Sequence, residues 1–274
     1  MIKKSPLNYS GSKDKIVKDI IKYIPEDTKT FVDAFGGAFN VGINVDTEKV
    51  VYNELNKYVY DIIKMLLEED EENLIKKIED TVLKHNLKAR NKEAYINFRN
   101  YYNNVEKTPL NLYVLSLYSF SNYIRFSKTE KMNMPVGKQE YNKTIVERIH
   151  NFKPYAKEVE LYNLNYKDIE LDNLNPEDTL FYFDPPYIVT TAVYNEKGNH
   201  TDGWSEQDEK DLLSYIENLD KKGYKFILSN IIKQDDKENN LLVDFINRNN
   251  YDLINIRKFR KREEIIVKNF WYLE

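Results

Sequence analysis

Apolar positions follow two spacings along the chain. Compact apolar runs of strand length occur at Thr30–Asp33, Lys49–Tyr52, Val159–Asn163, Leu180–Phe183, Lys225–Ser229 and Ile265–Tyr272. Three-four spacing marks the stretches between them. Lys15–Tyr23 places Ile16, Ile20 and Tyr23 on one helical face, and Pro25 ends it. Val59–Leu83 carries the same spacing through Val59, Ile62, Ile63, Leu66 and Leu67, then Leu74, Ile75, Ile78 and Val82. The charged run Glu68–Glu72 within it reads as a solvated face or a helix junction. Ala94–Tyr102, Leu110–Phe120, Ser205–Leu219 and Asn239–Asn249 are also expected to be helical, with a short helical stretch at Val41–Val45.

The first two strands flank a Gly turn and a helical stretch, which makes one βαβ unit, and the alternation resumes from Val159. The expected fold is an α/β sheet domain, residues 1–55 and 156–274, interrupted by a helical insertion at 56–155. Inside the insertion, Ser121–Tyr141 is polar, basic and without periodicity, as functional loops in compact domains are.

Composition narrows the class. The 274 residues include 41% apolar side chains, enough for a packed core. The net charge of −4 excludes a uniformly basic nucleic-acid binder but leaves room for a basic face, and residues 121–155 alone carry +4. There is no cysteine, and His85, His150 and His200 lack ligand spacing, so neither a thiolate nor a metal site is expected. No apolar run is long enough to span a membrane, and MIKKSPLNYS holds no apolar signal core, so a cytoplasmic protein is expected.

Three segments carry candidate chemistry. In Phe181-Tyr182-Phe183-Asp184-Pro185-Pro186-Tyr187, an apolar strand ends in a carboxylate, two prolines and an aromatic ring. The prolines fix two φ angles and remove two donors, leaving a stiff shelf of acceptors: the Asp184 carboxylate and the Pro185 carbonyl, with Tyr187 as a flat face. Such a shelf suits an exocyclic aromatic amine. Accepting both of its N–H groups draws the nitrogen towards tetrahedral geometry and frees its lone pair for attack. Phe31-Val32-Asp33-Ala34-Phe35-Gly36-Gly37-Ala38-Phe39 gives a Gly turn at which backbone approaches a ligand, and Glu54 at the end of the next strand suits a ribose diol. No G-x-G-x-x-G is present, which argues against a nicotinamide or flavin. In Pro6–Lys13, Tyr9 suits packing on a ligand and Lys13 suits a carboxylate.

In this order, the three segments resemble the DNA adenine-N6 methyltransferases of the DNA adenine methylase (Dam) type, with the alpha-group motif order. NYSGSK matches the first cofactor motif at Tyr9 and Lys13, FVDAFGGAF the cofactor loop with Asp33, Phe35, Gly36 and Gly37, YNELN the ribose site at Glu54, and DPPY the catalytic motif. Phe39 stands where the family often has a second glycine. The resemblance implies a Rossmann-like S-adenosylmethionine-dependent methyltransferase sheet domain with a helical target-recognition insertion. Asp184, Pro185, Pro186 and Tyr187 are the expected catalytic residues. Tyr9, Lys13, Asp33, Phe35, Gly36, Gly37, Glu54, Asp168 and Asp184 are expected at the cofactor, with Asn165 the rival to Asp168 against the cofactor adenine.

NYIRFSKTEKMNMPVGK is similar to the family's recognition loop and ends in the same N-x-P-x-G at Asn133–Gly137. Expected DNA contacts are Arg125, Lys128, Asn133, Pro135, Lys138 and Tyr141. The guanidinium fork of Arg125 matches guanine and the Asn133 amide adenine, while lysines suit phosphate. A further basic run, Arg257–Arg262, reads as a backbone contact or a solvated hairpin, and the Thr190–Gly203 loop as a cover over the flipped base, with His200 a surface residue. The implied reaction is methyl transfer from S-adenosylmethionine to the N6 amine of an adenine flipped from double-stranded DNA. GATC is the leading expectation for the site, and a cognate restriction endonuclease a genetic, not physical, partner. The alternatives are an RNA or protein-amide methyltransferase using the same shelf, and a catalytically inactive DNA-binding relative.

Overall fold

The computed structural model describes residues 1–9, 11–190, 203–259 and 261–271. Its sheet has the order β3-β2-β1-β4-β5-β8-β7, where β1 is Thr30–Asp33, β2 Lys49–Asn53, β3 Glu158–Tyr162, β4 Thr179–Phe183, β5 Lys225–Gln234, β7 Asp252–Phe259 and β8 Arg262–Lys268; the two-residue β6, Lys237–Glu238, pairs with β5. The strands β3, β2, β1, β4 and β5 run parallel, and β8 and β7 are antiparallel to their neighbours. The strand order reverses between β1 and β4, with Asp33 opposite Tyr182. Ligands of open α/β sheets bind at such a reversal, beyond the carboxyl ends of the strands.

The inner parallel strands are apolar because both faces are covered, whereas β3, at the sheet edge, carries Glu158 and Glu160. Phe31, Val50, Leu180, Tyr182 and Ile227 face α1 (Val17–Ile21) and the helices inserted between β2 and β3. Val32, Val51, Phe181, Phe183 and Phe226 face α7 (Glu206–Lys221) and α8 (Asn240–Asn249). In the insertion, α2 (Lys57–Glu68), α3 (Glu71–Lys84) and α4 (Lys92–Asn104) pack around α5 (Pro109–Tyr118), which is buried on all sides from Asn111 onward; α6 (Lys143–His150) leads back to the sheet. The charged run is a junction. Asp70 caps α3 by accepting from the Asn73 N–H at 3.0 Å, so the long periodic stretch is two helices.

Three differences from the sequence expectation have local causes. The strand expected over Ile265–Tyr272 begins earlier, at Arg262, and residue 272 lies outside the described residues. β7 went unread because DLINIRKF mixes charged and apolar side chains, as an edge strand can. α6 went unread although its signals are present: Asn142 accepts from the Thr144 and Ile145 N–H groups, and Ile145 and Ile149 share a face.

The loop after α5 is compact. It is pinned by isolated bridges Ser119–Val136 and Phe126–Met132. Its closing glycine is required: a Cβ on Gly137 would lie 2.2 Å from the Ser119 carbonyl oxygen.

Phe39 has a φ of +61°, and its side chain is completely buried, edge-on to Tyr52 at 4.9 Å and to Phe152 at 6.3 Å. The left-handed backbone explains why glycine suits this position, and the inward ring explains why phenylalanine is tolerated. Phe39→Ala is expected to lower unfolding stability by about 3–5 kcal/mol. Phe39→Gly is expected to cost roughly 1–2 kcal/mol less than Phe39→Ala, because glycine relieves the backbone. Urea denaturation of both variants checks this. A glycine variant no more stable than the alanine variant shows that φ strain carries no weight there.

Candidate active site

The carboxyl ends of β1 and β4 bring two aspartates to the sheet reversal. Asp184 follows β4 directly, and the prolines after it hold it at the mouth of the cleft. Lys13 arrives from the segment before α1 and is only 5% exposed. Its Nζ donates to Asp184 Oδ1 at 2.6 Å and Oδ2 at 2.5 Å, and to the Tyr187 hydroxyl at 2.5 Å. The Tyr187 hydroxyl in turn donates to Asp184 Oδ1 at 2.7 Å. The carboxylate is thus held by Lys13, 171 positions away, and by Tyr187, three positions on. The carboxylate expected beside Lys13 is one of the chain's own. The Tyr187 ring is buried and faces no part of the cleft, so Tyr187 orients Asp184 through its hydroxyl. Pro185 and Pro186 line the cleft.

The opposite wall is the Gly turn. Gly36 donates to the Asn53 carbonyl at 2.8 Å, and a Cβ on Gly36 would lie 2.3 Å from the Tyr52 ring, so only glycine closes this turn. The Tyr52 hydroxyl donates to the Gly37 carbonyl at 2.8 Å. Glu54 accepts from the Gly37 N–H at 2.9 Å and the Asn56 N–H at 2.7 Å, one bond per oxygen. A carboxylate oxygen has a second lone pair, so Glu54 keeps acceptor capacity for a ligand. Burial pushes the Glu54 carboxyl above its ordinary range, opposed by those two N–H groups. Asp33 is pushed up to about 7, first by burial and further by the nearby charges of Asp184 and Glu54, against the N–H that Gly42 donates at 3.2 Å. Three acidic groups and one ammonium therefore border a cleft also walled by Tyr9, Phe35 and Gly37. That balance favours a ligand carrying positive charge and hydroxyl donors.

Asp168 and Asn165 are not in this lining. Asp168 is exposed in the short 3₁₀ turn Tyr166–Asp168, and Asn165 caps that turn by accepting from the Lys167 N–H at 3.0 Å. The aromatic side of the turn meets the cleft wall instead: Phe35 lies 5.2 Å from the Tyr166 ring and 6.0 Å from Trp204. Sequence reasoning does not assign Tyr166 or Trp204 to the site, although the Trp204-Ser205 start of a helix resembles a later motif of the family. His200 and most of the Thr190–Gly203 loop lie outside the described residues.

In the 124–134 loop of the insertion, Arg125, residues 128–131 and Asn133 are exposed, while Ile124, Phe126, Met132 and Met134 are buried; Pro135 and Lys138 follow, exposed too. Arg125 and Asn133 are partners. Arg125 Nε donates to Asn133 Oδ1 at 2.7 Å, and the Asn133 N–H donates to the Arg125 carbonyl at 3.0 Å. Tyr141 is half-buried, with its hydroxyl 3.4 Å from Glu79 and its pKa pushed up to about 12 by burial, so it belongs to the helical core rather than to the exposed loop. In the basic run, Arg262 pairs with Glu264 at 2.6 Å and lies 5.9 Å over the Tyr187 ring, Lys258 pairs with Glu263, and Arg260 lies outside the described residues.

The sequence has counterparts among known proteins. Residues 9–262 match the family model described as D12 class N6 adenine-specific DNA methyltransferase. The modification methylase LlaI of Lactococcus lactis subsp. lactis is 42% identical over 271 residues, covering 97% of this chain and 43% of that protein. The type II methyltransferase M.FokI of Planomicrobium okeanokoites is 34% identical over 258 residues, covering 90% of this chain and 38% of that protein. The DNA adenine methylase of Escherichia coli is 24% identical over 231 residues, covering 82% and 79%. The chain spans about two-fifths of the length of the two modification methylases. With the DPPY shelf at the sheet reversal and the match covering nearly its whole length, the chain belongs to the D12 class N6 adenine-specific DNA methyltransferase family.

Proposed function

We propose that the chain transfers a methyl group from S-adenosylmethionine to the N6 amine of an adenine flipped out of double-stranded DNA. The observation that carries this is the Asp184 carboxylate, locked by Lys13 and Tyr187 across the cleft from the Gly turn and Glu54. S-adenosylmethionine supplies a methyl group already activated on a sulfonium sulfur. The acidic lining fits that cation, and the unused lone pairs of Glu54 fit ribose hydroxyls. Asp184 and the Pro185 carbonyl accept from the amine, and these hydrogen bonds strengthen as the nitrogen becomes tetrahedral. The two prolines offer no competing donor.

Residues 56–155 form the target-recognition part and residues 1–55 and 156–274 the catalytic part. The paired Arg125 and Asn133 act as one reader: the amide of Asn133 holds one edge of the guanidinium and turns the rest towards guanine. A cytoplasmic site follows from a DNA substrate, and no helix among the described residues is long and apolar enough to cross a membrane. The names of the modification methylases support a restriction endonuclease as a genetic partner.

Purified chain with labelled S-adenosylmethionine is expected to label double-stranded DNA, and neither RNA nor protein, in parallel assays. Label in RNA or protein changes the substrate class, and no label at all points to an inactive DNA-binding relative. Asp184→Ala is expected to slow single-turnover methylation by ~10²–10³; near-normal turnover removes Asp184 from the reaction. Glu54→Ala is expected to weaken donor binding by ~1.5–3 kcal/mol in calorimetry; unchanged affinity moves the ribose site elsewhere. For recognition, Arg125→Ala and Asn133→Ala are expected to relax discrimination at the same base pair, by ~1–3 kcal/mol. Lys138→Ala is expected to weaken all DNA alike and lower the salt slope by ~1. Methylation rates on a panel of single-base site variants, with binding at several salt concentrations, separate these. Relaxation at different positions for Arg125 and Asn133 breaks the single-reader account.

A further inference from the structure

Glu209 lies in the first turns of α7 with no exposed surface, although its sequence neighbours Asp208 and Lys210 are exposed. Its Oε2 accepts from the Trp204 indole N–H at 2.6 Å. Its Oε1 accepts from the Asn239 amide at 2.7 Å and the Asn230 amide at 3.3 Å. It makes no ion pair among the described residues. A buried carboxylate without a cation is costly, and burial raises its pKa against the three donors.

The surroundings allow only an acceptor at Glu209. Asn230 Oδ1 accepts from the Ile231 N–H at 2.7 Å and Asn239 Oδ1 from the Leu242 N–H at 3.1 Å. Both amides are therefore fixed with their NH₂ groups towards Glu209. The indole is a donor as well. A glutamine at 209 must turn its NH₂ either on the indole or on the two asparagines.

The donors come from different places. Asn230 is in β5, Asn239 caps α8, and Trp204 precedes the cap of α7 and packs edge-on against Phe35 of the cleft wall at 6.0 Å. We propose that Glu209 is a positioning residue for methyl transfer, holding Trp204 against Phe35 so that the aromatic wall of the donor cleft keeps its shape. This rests on the reading of that cleft as the S-adenosylmethionine site. Glu209 touches neither reactant and acts through Trp204 and Phe35.

The chain has two tryptophans, and Trp271 is 63% exposed, so Trp271→Phe leaves Trp204 as the single tryptophan, excited selectively over the tyrosines. In that background, Glu209→Gln and Glu209→Ala are compared by Trp204 emission and acrylamide quenching, donor Kd by calorimetry, and KM for DNA. Trp204→Phe, which keeps the ring contact and removes the N–H, is compared by Kd and KM. The expected result for Glu209→Gln is red-shifted, more quenchable emission and a donor Kd raised about tenfold, the scale of one lost charged hydrogen bond. KM for DNA is expected to stay within about twofold. Trp204→Phe is expected to raise the donor Kd in the same direction. If Glu209→Ala fails to fold, Glu209→Gln and Trp204→Phe still decide. Altered emission with unchanged donor Kd reduces Glu209 to a fold-stabilising residue and overturns the proposal, as does unchanged emission. Absence of donor binding in the parent protein overturns the reading of the cleft itself, and is seen before any Glu209 variant is made.

Discussion

The contact between Lys13 and Asp184 sets the site. An ammonium with 5% exposure donates to both oxygens of a carboxylate at the end of β4, and neither charge is well placed without the other. Removing one partner of a buried pair leaves an uncompensated charge, at a cost of ~3–5 kcal/mol. The pair therefore ties the first segment of the chain to the DPPY motif. The Tyr187 hydroxyl accepts from Lys13 and donates to Asp184, which completes a closed triangle of hydrogen bonds. A carboxylate held this way offers its one remaining lone pair, on Oδ2, in a fixed direction, as stabilisation of a developing charge requires.

Close packing around the Gly turn supplies the facing wall. Tyr52 occupies the space that a Cβ on Gly36 would need, its hydroxyl holds the Gly37 carbonyl, and Phe39 packs against its ring from a left-handed backbone. Strain at Phe39 is offset by burial of the ring. The same tyrosine thus links the core of the sheet to the loop that faces the ligand. Changes in the core beneath β2 are for this reason expected to reach the cleft.

Much of this was legible in the sequence because it rests on local rules. The parallel strands read as apolar runs, and their order, with the Gly turn after β1 and DPPY after β4, placed both halves of the site. The junction at Asp70 was legible as a charge cluster. What escaped notice depends on long-range contact. That Lys13 meets Asp184, 171 positions away, carries no sequence signal. Nor does the pairing of Arg125 with Asn133, which the sequence presents as two independent readers. Tyr141 looks like a loop residue in a polar stretch, yet it folds back onto α3 at Glu79. Glu209 sits in a charged helix start, EQDEKD, where its burial is invisible.

On the proposed reading, the shelf at Asp184 accepts from the two N–H groups of an amine, and adenine N6 and cytosine N4 both present them. The family match points to adenine, and the central claim is that this cleft methylates that atom. Digestion of enzymatically methylated double-stranded DNA to nucleosides, followed by chromatography with mass detection, tests it most directly. The account predicts that the transferred methyl is found as N6-methyldeoxyadenosine alone. Recovery as N4-methyldeoxycytidine or 5-methyldeoxycytidine would contradict it.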